Sequence, residues 1–183
     1  MKSACGIKEL HGYAGLHHTA KQISKYIPSC EVYVEPFAGM ARLHELVNAK
    51  TYVYNDKSDY AYNLLKERFD NDNNVYTFNM QFELMFTWDS PNTFFLIDPP
   101  WRYNVYKHND KAFIDRKPYE YYEKIFEYLD IAMGNWIVCG TADERQTKGL
   151  MKDHKYKKII VSDKGTIFGK KARTLIVSNI PLE

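Results

Sequence analysis

The residues best equipped for chemistry stand together in one stretch, Phe94-Phe95-Leu96-Ile97-Asp98-Pro99-Pro100-Trp101. Four apolar residues in a row, bounded by turn-formers, read as a short strand buried on both faces. A carboxylate follows at its C-terminal end, then two prolines and an indole. Each proline fixes φ near about −65° and removes a backbone donor, so the turn presents acceptors only: the Asp98 side chain and the Pro99 carbonyl. Two fixed acceptors beside a flat aromatic suit a planar group that carries an NH2, each taking one N–H while Trp101 stacks on the ring. Such an amine is a poor nucleophile because its lone pair is delocalised into the ring. The acceptors favour a more tetrahedral nitrogen and the positive charge that grows on it during attack, an electrostatic role that needs no strong base. Asp-Pro-Pro after a strand is also an ordinary turn, so its meaning depends on the elements around it.

Those elements alternate. Leu16, Ala20, Ile23 and Ile27 recur at helical spacing up to Pro28. Val32-Tyr33-Val34 reads as a strand, followed by Glu35-Pro36-Phe37-Ala38-Gly39-Met40-Ala41 and a helical stretch with Leu43, Leu46 and Val47. Tyr52-Val53-Tyr54 is a second strand ending in Asn55-Asp56, and Ser58 caps a helix carrying Ala61, Leu64, Leu65 and Phe69. Val75 to Phe78 and Phe94 to Ile97 are the third and fourth strands, with a packed helix expected between them from Phe82, Leu84, Met85, Phe86 and Trp88. Past a polar loop, 102–117, Pro118 opens a helix with Ile125, Phe126 and Leu129. Trp136 to Cys139 is a fifth strand, with a short helix expected after Ala142. Ile159–Ser162 and Leu175–Ser178 form a closing hairpin with Asp163-Lys164-Gly165 as turn chemistry. Strand–helix alternation of this kind predicts a mostly parallel α/β sheet in one domain, residues 1–183. Ligands of such sheets bind beyond the carboxyl ends of the strands. Glu35, Asp56, Asp98 and Gly140 each follow a strand and are expected on that rim.

Composition narrows the classes further. With 45% apolar, 15% aromatic and 26% charged residues in 183, the chain has the balance of a globular domain. A mean hydropathy of −0.51 and the lack of a long apolar run argue against a transmembrane helix. Met1 to Gly12 has no apolar core, so no signal peptide is expected. Cys5, Cys30 and Cys139 lack metal spacing and fit a reducing cytoplasm; His17-His18 has no ligand partners, so no metal is expected. The net charge of +2 conceals a basic segment: residues 145–173 hold ten Lys/Arg against Asp153 and Asp163. Such a run is commonly a solvated face. Concentrated at one end of a nearly neutral chain, it points to a polyanionic partner.

Pro36-Phe37-Ala38-Gly39, between a strand and an expected helix, is a tight turn that lets a ligand approach the backbone at a helix N-terminus. Gly-x-Gly-x-x-Gly and a Walker lysine are both absent, which suits a ligand without phosphates. About twenty residues on, Asp56 stands where a carboxylate can accept from ribose hydroxyls; an acid opening the helix behind Ser58 is the alternative reading.

Taken together these motifs resemble the class I, S-adenosylmethionine-dependent amino-methyltransferases, specifically the Dam-like adenine DNA methyltransferases. Glu35-Pro36-Phe37-Ala38-Gly39 is similar to that family's first cofactor motif, Asn55-Asp56 to its ribose-binding strand end, and Asp98-Pro99-Pro100-Trp101 to its Asp-Pro-Pro-Tyr catalytic motif. Tyr13-Ala14-Gly15 resembles the N-terminal Tyr-Pro-Gly-Gly-Lys element, and Arg173 to Asn179 the last strand. The resemblance implies a Rossmann-like sheet of seven strands with an antiparallel C-terminal hairpin and helices on both faces. It also implies S-adenosylmethionine as cofactor, held by Tyr13, Glu35, Pro36, Phe37, Ala38, Gly39, Asn55 and Asp56, and methyl transfer to the exocyclic N6 of adenine in DNA.

Asp98, Pro99, Pro100 and Trp101 would be catalytic in that scheme. The substrate would meet Trp101 and Tyr103, Arg116 of the loop, and the basic Lys170, Lys171 and Arg173. RNA adenine, DNA cytosine N4, or a non-catalytic nucleic-acid-binding subunit are the alternative readings. The chain departs from the family at Ala41, where glycine is common, at His17-His18, where a lysine stands, and at Trp101 for tyrosine. Only the fifteen residues Asn79 to Thr93 lie where the family carries a DNA-reading domain, so a partner subunit could supply recognition.

Overall fold

The computed structural model describes residues 19–100, 118–141, 157–161, 166–167, 170–171 and 174–182. Five strands, β1 (Cys30–Glu35), β2 (Ala49–Asn55), β3 (Val75–Phe78), β4 (Thr93–Ile97) and β5 (Asn135–Thr141), run parallel. Two more, β6 (Lys157–Val161) and β9 (Thr174–Ser178), complete a sheet of order β3-β2-β1-β4-β5-β9-β6, in which β9 is antiparallel to both its neighbours. Between them β7 (Thr166–Ile167) and β8 (Lys170–Lys171) pair as a separate two-stranded ribbon, so the hairpin is not joined by one tight turn; Asp163 to Gly165 lie outside the described residues.

Alternation along each strand sorts the core into two layers. Tyr33, Tyr54, Phe94, Leu96, Ile137, Cys139 and Ile176 face α1 (Ala20–Ile23) and α2 (Asp59–Phe69). Val34, Val53, Phe95, Ile97, Trp136, Val138 and Val177 face α3 (Pro118–Leu129). Burial on both faces is why β4 and β5 read as unbroken apolar runs. Ser58 caps α2, its side chain accepting from the Ala61 amide at 3.4 Å.

Three expected helices come out differently. The helix before Pro28 is one α turn followed by a 3-10 turn, Ser24–Tyr26, because the residue before a proline is driven out of the α region; Ile27 is extended at φ −96°, ψ 110°. Leu16 lies outside the described residues. The stretch after Gly39 holds only a 3-10 turn, His44–Leu46. Gly39 (φ 51°) and Ala41 (φ 46°) are both left-handed and β2 starts at Ala49, so an α-helix has no room to begin. Leu43 and Val47 are buried all the same. The segment Phe82–Trp88 is a 3-10 helix: Phe82 and Met85, three apart, eclipse on the buried side as three residues per turn requires. The helix expected after Ala142 falls outside the described residues.

At the amino ends of the strands, Asp89 accepts from the Met133 and Gly134 amides at 2.8 and 2.9 Å, seating the start of β5 beside β4. A Cβ on Gly134 would sit 2.6 Å from the Thr93 carbonyl and 3.0 Å from that of Ser90, both backbone atoms that cannot swing aside. Gly134→Ala is therefore expected to destabilise the protein by about 1–3 kcal/mol, seen as a lowered midpoint in thermal or urea unfolding.

Candidate active site at the carboxyl rim

The sheet order reverses between β1 and β4: the chain steps outward from β1 to β2 and β3, then returns to β4 on the other flank of β1. Reversal opens a crevice at the carboxyl ends of the two strands, because their connections leave in opposite directions. Glu35 ends β1 and Asp98 follows β4. The register Val34↔Phe95 sets Glu35 opposite Leu96, so Asp98 stands two residues on, on the same face. Glu35 is 5% exposed, Asp98 half-buried, and Pro99 and Pro100 buried.

The turn after β1 is fastened from the side by the end of β2. The Asn55 side chain donates to the Pro36 carbonyl at 2.9 Å and to the Met80 carbonyl at 3.1 Å, and accepts from the Met80 amide at 3.0 Å. Its backbone carbonyl accepts from the Ala38 amide at 2.8 Å. Asp56, also 5% exposed, accepts from the Gly39 amide through Oδ2 and from the Ser58 amide through Oδ1, each at 2.9 Å. Asp56 thus ties the glycine turn to the start of α2, and the acid-before-Ser58 reading is satisfied as well. Phe37 turns to the α3 face, its ring 5.1 Å from Phe82 and 5.8 Å from Tyr121. No α-helix begins behind Gly39, so the expected helix N-terminus is replaced by a turn whose Gly39 amide already serves a carboxylate.

Two fastenings carried no sequence signal of their own. Arg68, on α2, donates to the Met40 and Ala41 carbonyls at 2.6 and 3.2 Å, holding the left-handed turn from below. Asn79 donates to the Asp56 and Lys57 carbonyls at 2.9 and 3.1 Å. In a bare sequence an arginine within a helix pattern looks like a solvated residue, and an asparagine after a strand looks like a turn former.

Burial pushes the Glu35 carboxyl up to about 8; the Tyr33 hydroxyl beside it opposes that rise, the Asp98 charge adds to it, and Arg68 pulls it down. Cys139 is wholly buried, and burial first, then Asp98 and Glu35, push its thiol well above the ordinary range, as befits a strand residue rather than a nucleophile. Glu35, Asp56 and Asp98 make this an acidic rim, and among the described residues Glu35 Oε1 is buried with no hydrogen-bond partner. Such a donor set fits a positively charged, hydroxyl-bearing ligand better than a phosphate. Of the other predicted site residues, Tyr13, Trp101, Tyr103, Arg116 and Arg173 lie outside the described residues, and Lys170 and Lys171 form the β8 backbone.

The family model for D12 class N6 adenine-specific DNA methyltransferase matches residues 17–128. No curated protein sequence matches the chain. Among solved structures, a Streptococcus mutans protein classed as a methyltransferase and determined in complex with SAH aligns with a TM-score of 0.63 at 10% identity, over 90% of this chain and 97% of its own. An rRNA methylase from Streptococcus thermophilus aligns at 0.59 and 11% identity, over 91% and 97%. The 23S rRNA methyltransferase ErmE aligns at 0.54 and 13%, over 90% and 68%. These likenesses establish a shared Rossmann-like fold.

Removing the Asp56 carboxylate strands two buried amide donors. Asp56→Ala is expected to lower stability by about 2–4 kcal/mol, with Asp56→Asn losing less because its amide oxygen still serves one donor; denaturant unfolding of the three proteins reads the difference.

Proposed function

The chain belongs to the D12 class N6 adenine-specific DNA methyltransferase family, and from that premise we propose that it methylates the exocyclic N6 of adenine in DNA. The observation that carries this reading is Asp98-Pro99-Pro100 at the carboxyl end of β4, beside Glu35 at the sheet's reversal.

S-adenosylmethionine, the methyl donor, supplies a sulfonium-bound methyl carbon open to in-line attack. Glu35, Pro36, Phe37, Ala38 and Gly39, with Asn55 and Asp56, form the cofactor side of the crevice, and Tyr13 is assigned to the cofactor by the family resemblance. In this scheme Phe37 and Asn55 act by anchoring the turn, Phe37 in the α3 layer and Asn55 on Pro36 and Met80. The Asp98 carboxylate and the Pro99 carbonyl accept the two N–H bonds of the adenine amine, and Trp101 stacks on its ring. Pulling on those hydrogens draws the nitrogen lone pair out of conjugation and stabilises its growing positive charge. Bound there, the cofactor would supply the methyl group and take back the C–S electron pair as the adenine nitrogen bonds to carbon, the nitrogen's extra proton going to water. No bond to the protein forms; Asp98 and the rigid prolines contribute alignment and electrostatics.

An adenine stacked in a duplex cannot reach the rim, so the base is flipped out or taken from a single strand. Tyr103 and Arg116 belong to the loop that would receive it. Lys170, Lys171 and Arg173 supply phosphate contacts, with sequence recognition left to a partner subunit.

The test is transfer of a labelled methyl group to double-stranded DNA, single-stranded DNA and RNA, with the product nucleoside identified by mass. N6-methyladenine in DNA is the expected result. Label in RNA alone, or in cytosine, rejects the substrate assignment, and no transfer by the isolated chain points to a non-catalytic subunit. Asp98→Ala is expected to bind S-adenosylmethionine while turnover falls by about 10²-fold or more; undiminished turnover removes Asp98 from the mechanism.

A further inference from the structure

We propose that Glu35 is a positioning residue for Asp98: the two carboxyl groups form a pair holding a single proton, kept on Glu35, so that of the two only Asp98 is negatively charged. The inference deepens the reading of the same site and rests on Asp98 as the amine's acceptor.

Geometry carries it. The two carboxyls end neighbouring parallel strands on one face, at diagonal register, where side chains of adjacent strands are in reach. Glu35 is the deeper of the two, and among the described residues its Oε1 has no hydrogen-bond partner; the Tyr33 hydroxyl stands beside it on the same face. A charge placed there would set only the Tyr33 hydroxyl and the Arg68 field against the cost of burial, whereas Asp98 as a residue keeps some access to solvent although its Oδ1 is buried. Among the described residues the titratable groups facing Glu35 are Tyr33 on its own strand, Tyr54 on β2, Asp98 beyond β4, and Arg68 on α2; Cys139 on β5 feels the same field. Burial keeps both tyrosines and the thiol uncharged. Arg68 spends its guanidinium on the Met40 and Ala41 carbonyls.

Two like charges so placed cannot both ionise freely, and the proton settles on the less solvated member. The group loses it at about pH 8, against an ordinary 4.5. A second anion beside Asp98 then drives that carboxylate from its aligned position. Because the folded-state value is the higher one, Glu35 favours folding most below pH 4.5, and the contribution drains away as pH rises through 8.

Three measurements test the pair. In the folded protein, one carbon-13-labelled glutamate carboxyl is expected to titrate near pH 8, and all of them titrating below 6 overturns the proposal. The unfolding midpoint of the wild type is expected to drop relative to Glu35→Gln between pH 5 and 9; parallel curves overturn it. In turnover against pH, the wild type is expected to fall about tenfold per unit above pH 8, and Glu35→Gln to lack that limb; a limb that survives in the variant overturns the positioning role. Should the wild type methylate no nucleic acid, the functional reading fails. The carboxyl titration and the midpoints still decide the pair, and the titration does so even if the variant fails to fold.

Discussion

The parallel pairing of β1 with β4 is the constraint on which the rim depends. Three matched pairs, Val32↔Thr93, Tyr33↔Phe94 and Val34↔Phe95, set it, with large apolar side chains buried on both sides. A slip of one residue would exchange the two faces of either strand, sending Phe94 into the layer built for Phe95 and parting Glu35 from Asp98. The apolar core therefore fixes the chemistry. The interior cannot accommodate another register, and the one it accepts brings two carboxyls onto one face at the point where the sheet reverses. Tyr122, donating to the Cys139 carbonyl at 3.0 Å, fastens α3 to β5 on the other side of β4.

The turn after β1 shows a second economy of means. Many nucleotide sites brace such a turn with the first amides of a helix behind it, which then face a phosphate. Here the Gly39 amide faces Asp56, the Pro36 carbonyl takes the Asn55 amide, and Arg68 caps the carbonyls of Met40 and Ala41. These groups of the turn are satisfied before any ligand arrives, so ligand binding need not order them. What remains facing the crevice is acidic, which is the right sign for a sulfonium and for an amine that becomes cationic in transit.

How much of this was legible follows from which forces are local. Phe94 to Ile97 and Trp136 to Cys139 could be read because burial on both faces writes itself as a continuous apolar run. The starts of α2 and α3 could be read because Ser58 and Pro118 act on their own first turns. The stretch after Gly39 misled because Leu43 and Val47 sit four apart in either a helix or a 3-10 turn with buried ends. Its true limit is the left-handed Ala41, a conformation that alanine does not advertise. The place of Asp56 and Asp98 at the carboxyl ends of their strands was legible from type and position. The fastenings by Arg68 and Asn79 were not, since each joins residues more than twenty apart in sequence. The state of Glu35 was hidden for a related reason: it follows from burial and from a neighbour across the sheet, neither of which a linear pattern records.

The segment between β3 and β4 shows what short length excludes. Asn79 and Met80 are committed to the β2 end through Asp56 and Asn55. Phe82 and Met85 cover the sheet, and Phe86 stacks between Phe95, at 5.1 Å, and Tyr128, at 4.8 Å. Asp89 then turns back to seat β5. Phe82, Met85 and Phe86 are thus employed in closing the α3 side of the core, leaving no separate layer in this short segment. Under the proposed function, this face of the molecule has no part in reading bases. Contact with the substrate then falls to the loop after Trp101 and the basic C-terminal ribbon, where lysine and arginine meet phosphates and distinguish charge and shape rather than sequence.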